Sequence, residues 1–399
     1  MIFLCVQTYC TMKSSTLLVC VLLCVTSCEL FEDDISFGRP HEYIRRYGSR
    51  TECDSTGNIP GKKVDTVLYI SAVRMPARYD WQRDTAYGAV DAELVLYRNF
   101  KEILSIPAGP HVSADADRHF IHDGHLYTER QNSSETFIGR DGQDLMRIPG
   151  REELKGILVQ DSTLFTITSP IGKDGFTLRS GGEILMMKNS GRVYGGMLMP
   201  SYRPGGALYM NNGRVSFCYS SDGTPYKVED GMETVFRGTP NDIQDMRVTG
   251  SKDVSAGTDF MGLGLGDLSI WPLAEGFAVS GLATGSGYPT IYRSSGGSVH
   301  TIPLTDARAV YVSNGYAFAV ACSREGKVTV ADTQESRELD GTWYFFSPAC
   351  AAPGPAGPAL ALTPREKGKR PAVIYGGRTI TMDINGFLTG IMIELEEED

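Results

Sequence analysis

The chain has 399 residues, of which 41% are hydrophobic and 22% are charged, so it can bury a large core and is not disordered by composition. Its formal net charge is −10, and Lys and Arg cluster only in the short run 365–370. A nucleic-acid-binding protein needs a basic stripe that replaces counterions, so that class is not expected.

The N-terminal segment has the features of a secretory leader. Lys13 precedes the apolar run 17–25, which is too short to span a bilayer, and Met12 is interpreted as the true start. The run closes on Val25-Thr26-Ser27-Cys28, which resembles the bacterial lipobox although Thr26 and Ser27 replace the usual small apolar residues. The resemblance implies a signal peptide over 1–27 and a lipid on Cys28. The alternatives are an ordinary cleaved signal peptide or a mere apolar leader.

An acidic group directly follows Cys28. Glu29, Glu32, Asp33 and Asp34 resemble the surface-export signal of Bacteroidetes lipoproteins, which implies an outer-membrane lipoprotein facing the cell surface or the periplasm. The alternative is a charged, solvated tether. Residues 28–63 lack hydrophobic periodicity and are predicted to be the lipidated linker, and 64–399 the folded domain. The membrane is expected to be contacted through the lipid alone.

One hairpin pattern recurs along the domain. Phe120 to Tyr127 places two apolar runs on either side of Asp123-Gly124, a pair that accepts the positive φ angles of a type I′ turn. Variants of this pattern occur in 158–165, 209–216, 272–279 and 311–318. A recurring hairpin predicts a repeat architecture.

Each hairpin is followed by two more short strands around a second turn. These outer turns are Asp141-Gly142, Ser180-Gly181-Gly182, Asp230-Gly231, Ser295-Gly296-Gly297 and Gly376-Gly377. The first three are about 40 to 50 residues apart, as four-stranded blades require. The double glycines resemble kelch blades, but the Tyr and Trp that follow in kelch repeats are missing, and so is a Trp-Asp ending. No named repeat family is therefore assigned.

The two ends of the domain suggest how the ring closes. The first unit has only three strands, near 66–70, 92–97 and 102–106, and Leu388 to Ile393 is a surplus strand. If this last strand completes the first unit, no sheet edge is left open where the chain ends meet. We predict an all-β fold, a seven-bladed β-propeller with four-stranded blades closed by the C-terminal strand. A six- or eight-bladed ring and a β-sandwich are the alternatives.

Long loops are predicted to gather on one face. Connections between second and third strands and between blades emerge at the same end of a propeller, and the longest are 71–91, 107–117, 188–205 and 237–266. Exposed aromatic rings beside Arg suit sugar rings or a protein surface. The candidate ligand-binding residues are Arg78, Tyr79, Trp81, Arg83, Tyr194, Tyr202 and Arg203. The alternative for each is that it packs its own loop onto the blades.

Metal and cofactor sites are not predicted. Four His lie between 111 and 125 beside Asp residues, but strand alternation turns His119 and His122 to opposite faces. The glycine-rich run 257–267 lacks the following helix that a phosphate-binding loop uses.

The sequence favours a non-catalytic binding protein over an enzyme. The predicted partner is a glycan or a cell-surface protein, bound by the loop-bearing face. The alternative is a polysaccharide-acting enzyme, a glycoside hydrolase or lyase, with carboxylates from several blades meeting at the channel mouth.

Overall fold

Short strands joined by tight turns build the domain. The computed structural model describes residues 64–82, 91–108, 118–160, 162–195, 206–211, 213–222, 224–235, 265–273, 277–283, 285–293, 297–312 and 316–397, all within the compact unit Gly38–Asp399. The expected signal peptide, Cys28 and linker lie outside these residues. None of the helical turns in these ranges is long and apolar enough to cross a membrane.

Within these ranges the strands form seven antiparallel sheets, which are the blades of a β-propeller. Blades 2, 3, 5 and 6 are each built from four consecutive strands. Blade 2 contains β4 (Arg118–His122), β5 (His125–Gln131), β6 (Glu135–Arg140) and β7 (Gln143–Pro149), and blade 3 contains β8 (Glu152–Gln160), β9 (Thr163–Pro170), β10 (Phe176–Ser180) and β11 (Glu183–Lys188). Blade 5 contains β17 (Leu265–Pro272), β18 (Phe277–Ala283), β19 (Pro289–Arg293) and β20 (Ser298–Thr301), and blade 6 contains β21 (Ala307–Val312), β22 (Ala317–Cys322), β23 (Val328–Ala331) and β24 (Ser336–Glu338).

Blade 1 joins the two ends of the domain, as predicted. It combines β1 (Val64–Arg74), β2 (Glu93–Arg98) and β3 (Lys101–Pro107) with the last strand, β30 (Gly386–Glu397), in the order β3-β2-β1-β30. The β1–β30 register runs from Val64 opposite Glu397 to Arg74 opposite Gly386. The C-terminal strand is therefore the innermost strand of blade 1 and closes the ring.

Blades 4 and 7 have an inner strand in two pieces. Blade 4 contains β12 (Arg192–Val193), β13 (Tyr209–Asn211), β14 (Arg214–Ser221), β15 (Thr224–Glu229) and β16 (Met232–Val235), and blade 7 contains β25 (Trp343–Tyr344), β26 (Ala351–Gly354), β27 (Gly357–Pro364), β28 (Ala372–Tyr375) and β29 (Arg378–Thr381). The sequence predicts one strand over 342–347, but in the structure only Trp343 and Tyr344 of this range form a strand. The two pieces of the inner strand of blade 7 are separated by a 3₁₀ turn, Pro348–Cys350, in which the Ser347 hydroxyl accepts the backbone N–H of Ala349.

The core lies between neighbouring blades, where their apolar faces meet. One buried cluster joins Ile70 and Leu388 of blade 1 to Val373 of blade 7. Another joins Leu178 of blade 3 to Phe217 of blade 4. This face-to-face packing explains why the inner strands are apolar on both faces, since each face is covered by the next blade.

Candidate functional site

Three loops meet at one end of blades 1 and 7. Arg74 lies opposite Glu93 in β2 and opposite Gly386 in β30, so these three strands reach the same level. We call this end, marked by Arg74 and Gly386, the loop face. The end marked by Val64 and Glu397 is the tether face, because the predicted linker enters the domain there.

A cleft of about 830 Å³ opens on the loop face. It is formed by 74–82 after β1, by 367–371 between β27 and β28, and by 383–386 before β30, with Asp91 and Glu93 at its side. We call it the loop-face cleft. Its volume falls in the range of about 300–1,000 Å³ that is usual for small-ligand sites.

The 75–79 turn is fixed by the connection that leads into β30. The Tyr79 backbone N–H donates to the Pro76 carbonyl oxygen at 2.9 Å. The Asn385 side-chain amide donates to the carbonyl oxygens of Pro76 at 2.6 Å and Tyr79 at 3.1 Å, and the Asn385 carbonyl accepts from Met75. These bonds hold Arg78 and Tyr79 at the mouth of the cleft on a rigid support.

Arg78 and Tyr79 differ in exposure. The Arg78 side chain is exposed, and within the described residues no carboxylate pairs with it. Tyr79 is half-buried and packs against the apolar cluster that joins blade 1 to blade 2. The loop-face cleft therefore offers a free guanidinium beside the accessible part of an aromatic ring.

Trp81 does not have the exposed ring that the sequence predicts. It is 8% exposed, and its ring centroid lies 5.4 Å from that of Phe387 and 6.1 Å from that of Tyr344. The neighbouring Gln82 side chain donates to the Pro364 carbonyl oxygen at 2.9 Å. Trp81 thus anchors the loop and forms the floor of the cleft.

Tyr194 is also buried, and it lies on another blade. It follows β12 in blade 4, is 8% exposed, and donates its backbone N–H to the Cys218 carbonyl oxygen. Burial raises the pKa of its phenol.

The loop-face cleft brings together three of the candidate residues, Arg78, Tyr79 and Trp81, and Tyr194 is not part of it. Arg83, Tyr202 and Arg203 lie outside the described residues.

Ion pairs occupy most other charged groups of the cleft. Lys367 Nζ lies 2.6 Å from Asp80 Oδ2, and Arg370 pairs with Asp383. Arg74 contacts Glu93 at 2.7 Å and Glu102 at 2.6 Å, and its hydrogen bond to Glu102 raises the pKa of the guanidinium further. The cleft is therefore polar and close to neutral, with donors and acceptors already oriented.

Sequence reasoning did not include Lys367, Arg370 or Asn385 in the site. The available signal was the basic run 365–370, which falls between the second and third strands of blade 7 and hence on the loop face. The role of Asn385 had no comparable signal, because it depends on a contact with Pro76, 309 residues away in the sequence.

The His residues of blade 2 have protein neighbours. His125 Nδ1 lies 2.6 Å from Asp141 Oδ2, while His122 is buried with its ring centroid 6.1 Å from that of Tyr127. Among the described residues there is no group of three or more His, Cys, Asp or Glu that could hold a metal ion.

Comparisons with known proteins assign no family to this chain. No protein-family model matches the chain, and no curated protein matches it. Similar solved structures include apo AztD from Citrobacter koseri (TM-score 0.45, 9% identity, 83% of this chain and 99% of that chain). They also include the dihydro-heme d1 dehydrogenase NirN (0.41, 8%, 89% and 79%) and BamB from Moraxella catarrhalis (0.37, 11%, 81% and 97%). At sequence identities this low, the function of a similar structure cannot be assigned to this chain, so the function must be inferred from the chain's own residues.

Proposed function

We propose that this protein is a lipid-anchored binding protein of the cell envelope that holds a glycan in its loop-face cleft. The observation that carries this proposal lies at the mouth of a cleft of about 830 Å³. There the exposed Arg78 guanidinium, with which no carboxylate of the described residues pairs, is next in sequence to the half-buried Tyr79 ring. The apolar face of a sugar ring can pack against an aromatic side chain, and its hydroxyl groups can accept hydrogen bonds from the N–H donors of a guanidinium.

The shape of the site favours a glycan over a flat protein surface. The loop-face cleft is concave, and its walls carry paired charges with remaining hydrogen-bonding capacity. Protein interfaces usually centre on desolvated aromatic or Arg anchors, whereas the Trp81 ring is already covered by Phe387. A partner protein remains the second outcome that the experiment below distinguishes.

Binding without catalysis is supported by the neighbours of the carboxylates. Asp80, Glu93 and Asp383 each contact a cation. A glycosidase needs two carboxyl groups directed at the scissile bond, whereas these three carboxylates are each engaged by a cation of the protein. They are therefore suited to orienting side chains.

An anchor on the side opposite the cleft is supported by where the first described strand begins. The linker from Cys28 enters at Val64 on the tether face, and β1 runs 11 residues from there to Arg74 on the loop face. At about 3.3 Å per residue, the two faces are separated by about 35 Å along this strand. A lipid on Cys28 would thus hold the tether face near the membrane and leave the loop-face cleft pointing away from it.

The direct test is an array of polysaccharides and cell-surface proteins, probed with the full chain lacking its lipid. Wild type should capture one class of polysaccharide, and Arg78→Ala should weaken capture by about tenfold or more because it removes charge-assisted hydrogen bonds. Arg214→Ala removes an exposed Arg from the hairpin between β13 and β14 and should leave capture unchanged. Equal loss in both variants, or capture of proteins only, would argue against the glycan site.

The anchor is tested separately by cell fractionation. Replacing Cys28 with Ser removes the thiol that would accept the lipid, so the variant should move from the membrane fraction to the soluble fraction. Retention of Cys28→Ser in the membrane fraction would contradict the lipoprotein assignment without affecting the glycan proposal.

A further inference from the structure

A second cleft, of about 540 Å³, opens between blades 6 and 7. We call it the blade 6–7 cleft. It is bordered by the turn between β23 and β24, by the outer strands of both blades, and by the 354–358 turn of blade 7. That turn and the outer turns of both blades belong to the tether face, whereas Asp340 and Trp343 lie toward the other end of the cleft, where Trp343 pairs with Pro364. No residue lines both this cleft and the loop-face cleft.

One wall of the blade 6–7 cleft is apolar and widens outward. Leu360, Ile374 and Thr379 form a cross-strand row on blade 7, since Leu360 pairs with Ile374 and Ile374 with Thr379. Leu360 is buried, Ile374 is half-buried and Thr379 is exposed. The exposure of these side chains therefore increases from the inner to the outer strand of blade 7, so the outer part of the row forms an accessible wall of the cleft.

Aromatic rings line the inner part of the same cleft. Tyr316 and Phe318 of blade 6 are stacked with ring centroids 5.7 Å apart. The hydroxyl oxygens of Tyr316 and Tyr375 accept backbone N–H groups from Gly354 and Ala356, each at 3.2 Å. The phenols are thus held in place, and their rings form a fixed apolar lining.

The opposite wall is acidic. Strand alternation turns Glu335, Arg337 and Leu339 toward blade 7, while Glu338 points away and pairs with Lys327 at 3.2 Å. Asp340 lies at the other end of the same segment. Among the described residues, no cation lies within ion-pair distance of the Glu335 or Asp340 carboxylate.

The charge on this wall does not balance. Asp332, Glu335 and Asp340 contribute three negative charges and Arg337 one positive charge, which leaves two in excess. The Asp332 carboxylate already accepts the backbone N–H groups of Gln334 and Glu335, so Glu335 and Asp340 are the groups free to meet a ligand. A cavity with an aromatic lining, one apolar wall and unpaired carboxylates complements an apolar body that carries positive charge.

We propose that the blade 6–7 cleft is a binding site for apolar organic cations. The apolar body lies against Leu360, Ile374 and the ring of Tyr375, and the positive charge faces Glu335 and Asp340. This site shares no lining residue with the proposed glycan site.

Trp343 supplies a built-in reporter for this test. The chain has three Trp, of which Trp81 and Trp271 are buried. Trp343 is half-buried and lines the blade 6–7 cleft, with its indole N–H donating to the Asp340 carbonyl oxygen at 2.8 Å. Its fluorescence should therefore change when the cleft is filled.

The probes are tetraphenylphosphonium and tetraphenylborate, two ions of matching shape and opposite charge. Full-length wild type should bind the phosphonium saturably and at least about tenfold more tightly than the borate, by Trp fluorescence and by equilibrium dialysis. The double variant Glu335→Gln, Asp340→Asn should weaken phosphonium binding by about tenfold. The control variant Glu338→Gln removes one negative charge from the outward face and should change phosphonium binding by less than about twofold.

The proposal would be overturned by saturable binding of neither probe, by borate binding as tight as phosphonium binding, or by equal weakening in Glu338→Gln. Loss of phosphonium binding in Arg78→Ala would also overturn it, because the probe would then occupy the loop-face cleft.

Discussion

His122 shows how one buried side chain ties the stability of the fold to pH. It ends β4, is 6% exposed, and has the Asp123 carboxylate 3.4 Å from Nε2. Burial lowers the pKa of the imidazole, and the charge of Asp123 opposes this only in part. In the unfolded chain the pKa is about 6.5, so the unfolded state takes up this proton first as the pH falls.

This difference predicts that acid weakens the fold through His122. The free energy of unfolding should decline below about pH 6.5, with a contribution from this group of at most about 1.4 kcal/mol per pH unit. Denaturant titrations at pH 7.5 and pH 5 would measure the decline, which should be smaller in His122→Asn. An identical pH dependence in the variant would show that His122 is not the group responsible.

Single side chains are also where sequence prediction was weakest. Arg78 could be assigned to an exposed loop because its own segment is polar and carries a turn. The burial of Trp81 could not, because its cover comes from Tyr344 and Phe387, more than 250 residues away in the sequence. Exposure of an aromatic residue is a property of distant packing, whereas turn formation depends on adjacent residues.

At the scale of strands and turns, sequence prediction succeeded because the signals are local. Asp141 and Gly142 both have positive φ, at 53° and 84°, as do Asp230 and Gly231, which suits the Asp-Gly pairs predicted at these outer turns. The Asp side chains also form hydrogen bonds: the Asp141 carboxylate accepts the backbone N–H of Leu126, and the Asp230 carboxylate accepts that of Val215. That contact fastens the outer hairpin to the second strand of the same blade.

The junction of β1 and β30 depends on a single glycine. Gly386 begins β30 at φ 155°, and a Cβ there would overlap the Val73 carbonyl oxygen. Gly386→Ala should therefore lower the free energy of unfolding by about 3 kcal/mol or more, because the backbones that close the ring must separate.

A matched variant isolates this steric effect. Gly377 also has a positive φ, at 72°, but no atom lies within 4 Å of its Cβ position, so Gly377→Ala should cost only about 1 kcal/mol. Denaturant unfolding of both variants gives the comparison. Equal losses would mean that β30 does not need a close approach to β1 at this point.

At the scale of the whole molecule, ring closure by β30 also arranges the two faces. Because β30 starts beside Arg74 and ends beside Val64, the segment 383–386 shapes the loop-face cleft, while β1 begins at the tether face. The sequence predicted the closure from a surplus strand and a three-stranded first unit. It could not predict which loops form a cleft, because blades 1 and 7 become neighbours only after the ring has closed.

The most direct test of the glycan-binding account is hydrogen exchange of the full chain with and without the polysaccharide that the array identifies. The account predicts added protection in 75–82, 367–371 and 383–386, the three segments of the loop-face cleft, and no release of shortened sugar. Protection confined to the tether face, or product release during the incubation, would contradict it.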